Sequence, residues 1–247
     1  MLYDMIFKRK SFHIFKDIGH IEDEELREIE TYCDTLVPLV PNIRTVVRIV
    51  PGEETTCKRG QEYCILLYSE KKDSYLQNIG YLGQQLDLYL ASKNIGALWF
   101  GIGKTAEPQF DGLDFVIMIA IAKMLPDKFR KNMFKAKRKP LDEIWSGEII
   151  TGVSEIVRFT PSACNTQPWF VKRENQGLTV YRYKKAGKRG IMPEDKVTYY
   201  NQIDMGIFLL MMELCLRHEG IIFERELYSD DGDLEREWTK TAVYMLP

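Results

Sequence analysis

Cysteine, histidine and long apolar runs are all scarce in this sequence, and neither sign of charge prevails. Five cysteines, at positions 33, 57, 64, 164 and 215, form no C-x-x-C pair and leave one unmatched. That pattern suggests neither a disulfide framework nor a zinc site. The three histidines, at 13, 20 and 218, fall in separate segments without an H-E-x-x-H pattern, so no metal centre is expected. The most apolar stretches, 115–122 and 203–216, are shorter than the roughly 20 residues that span a bilayer, and the second holds Asp204 and Glu213. Thirty-four basic against thirty-six acidic residues leave a net charge of −2, which gives no chain-wide attraction to nucleic acid or to an anionic membrane. The opening MLYDMIFKRK has no apolar centre of the kind a secretory signal carries. These absences predict a cytoplasmic chain with reduced thiols that binds neither nucleic acid nor membrane.

What remains is ordinary globular material: 247 residues, 45% apolar and 28% charged, enough for one or two domains with a sizeable core. Residues 22–37 open with acids, space Leu26, Ile29, Cys33 and Leu36 helically, and stop at Pro38. Residues 44–50 and 62–68 read as strands, 73–94 as a long helix closed by Gly96, and 113–122 as a strand buried on both faces. Further on, 147–159 reads as a helix, 168–172 and 178–183 as paired strands, and 199–218 as a second long helix, apolar nearly all round. Strands at 221–227 and 240–246 flank an acidic turn at 229–233. The order repeats loosely: helix, proline-marked loop, two strands, long helix, then a glycine and an apolar strand. Two related α+β halves, 1–146 and 147–247, follow from that layout.

Several chemical motifs fail on inspection. Residues 101–106 (GIGKTA) imitate a phosphate loop, but Leu98 stands where its first glycine belongs, and Pro108 and Gly112 exclude the helix that must follow. Ser162 lacks a G-x-S-x-G elbow, and Cys164 has no signalled histidine partner. The basic run at 128–139, seven cations without an acid, reads first as a solvated loop, since no nucleic-acid module surrounds it.

Three segments share a different property: each could hold part of a phosphorylated, planar, polar-edged cofactor. Residues 8–13 (KRKSFH) carry cations and a hydroxyl, and residues 137–144 (KRKPLDEI) join the basic run to a proline and a short helix. Residues 158–169 (RFTPSACNTQPW) place Asn165 and Gln167 before an aromatic-led strand, and their amides can both donate and accept at a ring edge. With these residues in view, the sequence resembles the FMN-dependent nitroreductase family. Its basic R-R-S-x-R-like start corresponds to residues 9–13, its P-S-x-x-N-x-Q-P-W segment to residues 161–169, and its K-x-R-x-P-L ending to the stretch around Arg138. His13 replaces the second basic residue of the opening motif, and Ala136 stands where the family has a lysine.

In ordinary members the P-S-x-x-N segment comes early, and FMN sits at the interface of a homodimer. Here the early position holds only residues 38–44 (PLVPNIR), and the intact motif comes about 120 residues later. The sequence therefore looks like the single-chain subgroup: a nitroreductase-like α+β fold whose two halves form an internal pseudo-dimer around one flavin site, either a monomer or a weak homo-oligomer. The resemblance implies that FMN is bound by Arg9, Lys10, Ser11, His13 and Arg138 near its phosphate, by Pro161, Ser162, Ala163, Asn165 and Gln167 at the ring, and by Trp99, Phe100 and Gly101 on the ring's far side. It further implies ping-pong transfer of hydride and electrons from NAD(P)H or another donor to a small oxidant such as a nitro compound or quinone, without a catalytic side chain. The alternative is a protein that binds, stores or senses flavin without turnover.

Overall fold

The structure is a computed structural model that describes residues 2–184, 190–229 and 237–246. The chain forms two compact units, Met1–Met133 and Phe134–Pro247, so the division falls ahead of the boundary at 146 read from the sequence.

The first unit runs α1 (Leu2–Lys8), α2 (Asp23–Cys33), β1 (Thr45–Pro51), β2 (Tyr63–Ser69), α3 (Tyr75–Ser92), β3 (Ile95–Phe100), β4 (Gln109–Phe110) and β5 (Leu113–Lys123). Three acids fill the first turn of α2, where the helix dipole favours them, and the Glu25 carboxylate accepts the Glu22 N–H at 3.3 Å. The sheet order is β1-β2-β5-β3, antiparallel throughout, with β4 also on β5. Paired on both edges, β5 is buried from Val116 to Ala122, as its unbroken apolar run requires. Helix α3 packs on this sheet at Gly83, where an added Cβ would come 2.5 Å from the Trp99 ring, so the absent side chain is what admits the indole.

The second unit contains β6 (Trp145–Ser146), α4 (Ser154–Val157), β7 (Trp169–Glu174), β8 (Gly177–Tyr183), α5 (Glu194–His218), β9 (Glu224–Leu227) and β10 (Trp238–Met245). Its sheet order is β6-β7-β8-β10-β9. Short β6 pairs parallel to β7, and the other pairings are antiparallel. Leaving aside β4 and β6, both sheets place their four strands first, second, fourth, third in chain order, with the long helix between the second and third. The loose repeat seen in the sequence is thus matched by topology within each unit.

Two elements differ from expectation. The helix expected over 147–159 shrinks to the single turn of α4, because Gly147 and Gly152 take φ of 85° and 78°, which no helix accommodates. Helix α5 begins at Glu194 rather than 199, started by Pro193 and by Glu194 and Asp195 in its first turn. From Ile203 to Glu213 each of its residues is buried, and Phe208 stacks on Trp169 of β7 with centroids 4.9 Å apart. Beyond Ser229, the acidic turn lies outside the described residues. Among the described residues no helix is long and apolar enough to cross a membrane.

Candidate functional site

In the first unit, the basic N-terminal segment is held against the edge of β3. Ser11 forms a parallel bridge with Ala97, and the Phe12 N–H donates to the Ala97 carbonyl at 3.1 Å. Arg9, Lys10, Ser11 and the residues Trp99, Phe100 and Gly101 at the end of β3 and beyond are thereby gathered in one neighbourhood; His13 is exposed.

Arg9 itself is only 5% exposed. Its Nε lies 3.0 Å from Oδ2 of Asp87 on α3, and the Trp99 indole N–H donates to the same oxygen at 3.1 Å. Burial pushes the Asp87 carboxyl above its ordinary pKa, while Arg9 and Trp99 pull it back. Arg9 therefore has a structural partner of its own inside the unit. Lys8 donates to Asn94 at 2.7 Å, and Lys10 to the Lys128 carbonyl at 3.1 Å.

Arg130, which no sequence motif singles out, joins this neighbourhood. Its backbone N–H donates to the Lys8 carbonyl at 3.1 Å, which fastens the start of the basic run alongside the N-terminal cations. Its Nε is buried and, among the described residues, has no hydrogen-bond acceptor. Burial, and then the Arg9 charge, lower its pKa, so two guanidinium groups stand within electrostatic reach of each other while Asp87 pairs with Arg9. The available signal was the alternation Lys128-Phe129-Arg130, in which a buried Phe129 fixes its two cationic neighbours. The run is not simply a solvated loop: Phe129 and Met133 are both core residues.

In the second unit, the 161–168 loop is built around α5. Asp204 is buried there; its Oδ1 accepts the Ala163 N–H at 2.9 Å and its Oδ2 the Thr166 hydroxyl at 3.4 Å. No cation pairs with it among the described residues, and burial drives the Asp204 carboxyl up to about 8, an effect only partly offset by those two donors. Ser162 Oγ accepts the Gln167 N–H at 3.0 Å, and the Gln167 side chain accepts the Lys139 N–H at 2.9 Å. Ser162, Ala163 and buried Gln167 thus act on the loop's own shape. Asn165 is exposed; its amide reaches the Lys137 carbonyl at 3.4 Å, beside Arg138. Cys164, Asn165 and Gln167 adopt φ of 49°, 57° and 48°. Left-handed backbone at three non-glycine residues costs about 1 kcal/mol or more apiece and collects where a fixed shape serves a site.

Asp87 and Asp204 could have been found from the sequence as acids embedded in apolar helical stretches. Each stands among aliphatic neighbours, where an unpaired charge is expensive.

Two α+β units of one strand order, a cationic turn and an amide-bearing loop define a nitroreductase-like fold. The chain matches the family model described as "Putative TM nitroreductase" over residues 1–216, and it belongs to that family of nitroreductase-type proteins. Its structure is similar to that of a "putative nitroreductase" from Thermotoga maritima MSB8, with a TM-score of 0.66 at 18% identity, covering 99% of this chain and 93% of that one. Weaker similarity extends to a nitroreductase family protein from Clostridium difficile 630 (TM-score 0.45, 13% identity, 60% of this chain and 98% of that one). It also extends to a "putative nitroreductase" in complex with FMN from Desulfovibrio desulfuricans (TM-score 0.44, 18% identity, 60% and 97%). No curated protein matches the chain.

Proposed function

We propose that the chain is an FMN-dependent oxidoreductase of nitroreductase type that draws on a nicotinamide donor and reduces a small oxidant. Membership of the family supports the class. The observation that carries the cofactor is the buried Nε of Arg130, left without an acceptor beside Arg9. A phosphate monoester carries close to two negative charges, so it would supply the missing acceptor and neutralise like charges held together. In this reading Lys10, Ser11, His13 and Arg130 hold the phosphate, and Arg9 shares in the field while staying paired with Asp87. Residues 99–101 cover one side of the ring. Asn165 meets the ring edge with its exposed amide, on a loop that Asp204, Ser162 and Gln167 keep rigid. Pro161, Ala163 and Arg138 complete the set as backbone and flanking contacts.

The chemistry such a cofactor supplies is hydride acceptance from the donor and release of electrons to the oxidant. The chain's own share is to bind, orient and place donors where negative charge would develop. No side chain is assigned as acid or base. Visible absorbance tests the proposal: the purified chain, or the chain after addition of FMN, shows a flavin spectrum that NADH or NADPH bleaches without oxygen and a quinone restores. A colourless protein that takes up no FMN refutes it, and a flavin that neither donor bleaches leaves the storage reading in its place.

A further inference from the structure

Beyond the N-terminal cations, the first unit carries a second basic group that the flavin reading does not use. Lys58 and Arg59 sit on the loop entering β2, and Lys104 on the loop leaving β3. The two loops are joined: the Lys104 N–H donates to Thr56 Oγ1 at 2.8 Å and the Thr56 N–H to the Lys104 carbonyl at 3.0 Å. The Arg59 backbone is fixed at both ends, its N–H donating to Gln61 Oε1 at 2.9 Å and its carbonyl accepting from Phe15 at 2.8 Å. Its guanidinium lies over the Phe100 ring, 5.7 Å from the centroid.

No carboxylate pairs with Lys58, Arg59 or Lys104 among the described residues, and the ammonium of Lys58 reaches only the Thr55 carbonyl at 3.4 Å. The acids nearby are otherwise disposed: Glu107 is paired with Arg48, and Glu53 and Glu54 form no ion pair with these cations. A forked guanidinium on a fixed backbone, with one lysine next to it in the chain and another on the loop joined to it, is a donor set that suits a phosphate.

We propose that Lys58, Arg59 and Lys104 bind a phosphate of the nicotinamide dinucleotide donor. The inference rests on the FMN reading, because Phe100, on which Arg59 lies, is assigned there to the flavin's side. A donor reaching that point carries its anionic part onto the adjoining cations, whereas a nitro compound or quinone has no phosphate to place there. The chemistry is shared by two sources, the 2′-phosphate that distinguishes NADPH from NADH and the diphosphate common to both.

Calorimetric titration of the FMN-loaded protein with NADP+ and with NAD+, for the wild type and for the R59A/K104A double variant, decides the matter. Losing two charge-assisted contacts weakens binding at least about tenfold. A loss confined to NADP+ assigns the 2′-phosphate, and an equal loss for both assigns the diphosphate. Either supports the proposal, provided that FMN affinity, followed by flavin fluorescence, is the same in both proteins. Unchanged dinucleotide affinity in the variant, or no measurable binding of either dinucleotide to the FMN-loaded wild type, overturns it while leaving the cofactor reading intact. A wild-type protein that takes up no FMN sinks both.

Discussion

The two units solve one local problem with different chemistry. In each, a proline-marked loop is tied to the long helix by a side chain that accepts the N–H two residues after the proline: Asn78 from Val40 at 3.0 Å, and Asp204 from Ala163 at 2.9 Å. Nine residues further along each helix comes a buried carboxylate, Asp87 or Glu213, and twelve beyond that its partner, Trp99 or Arg225. The correspondences hold position by position, yet the loops differ. No residue from 38 to 44 has positive φ, whereas three from 164 to 167 do. The neutral amide holds the relaxed loop and the acid holds the strained one. The two units thus share a scaffold, while strain is concentrated in the loop that carries the P-S-x-x-N-x-Q-P-W residues.

The matched carboxylates offer the harshest way to break the comparison. Arg9→Ala leaves Asp87 buried and without a cation, at a cost of about 3–5 kcal/mol. Arg217→Ala costs about 1 kcal/mol or less, because that arginine is half-exposed and Glu213 keeps Arg225 and Tyr244. Urea unfolding of the two variants measures the gap, and equal losses would mean that the two positions are not used differently.

The anchors respond to pH. An Asp204 carboxyl raised to about 8 binds its proton more tightly in the folded state than in the unfolded one, where its pKa is near 3.9. Its contribution therefore falls as pH rises from about 4 to about 8, and stays lost above that. Asp204→Asn, which copies the first unit's solution, should raise Tm by several degrees at pH 9 and flatten its decline with pH. Asn78→Asp should do the reverse. Thermal melts across pH 5–9 check both, and a D204N protein with the wild-type slope would show that Asp204 does not titrate there.

Smaller effects sharpen the contrast between the loops. Asn165→Gly keeps the left-handed backbone but removes the amide, so FMN affinity drops about tenfold with little change in stability, read by fluorescence titration beside a melt. Cys164→Gly should stabilise by about 0.5–1 kcal/mol with the flavin spectrum unaltered, because glycine takes φ of 49° without strain.

Period and punctuation made much of the architecture readable. β-Branched and aliphatic residues, punctuated by Pro51-Gly52, mark β1 and β2, and i, i+3, i+4 spacing marks α2 and α3. The stretch 147–159, read as a helix, differs because Gly147 and Gly152 take positive φ and decide its backbone. The candidate site was legible in its polar loop, because Asn165 and Gln167 stand out from their surroundings. It was less so at Asp87, Asp204 and Arg130, whose importance depends on what burial does to a charge. A sequence gives the charge, but the surroundings that decide its cost appear only when distant segments meet.

The shared strand order has a consequence for synthesis on the ribosome. In each sheet the strand that lies between the second and the third, β5 or β10, is the last of its four to be made. Until it emerges, the third strand has no neighbour to join and the second leaves an edge open. Each unit therefore closes like a drawer whose middle board is fitted last. For the second unit that board is residues 238–245, so a nascent chain stalled ahead of them would carry α5 and an unfinished sheet, a form suited to capture by chaperones or proteases.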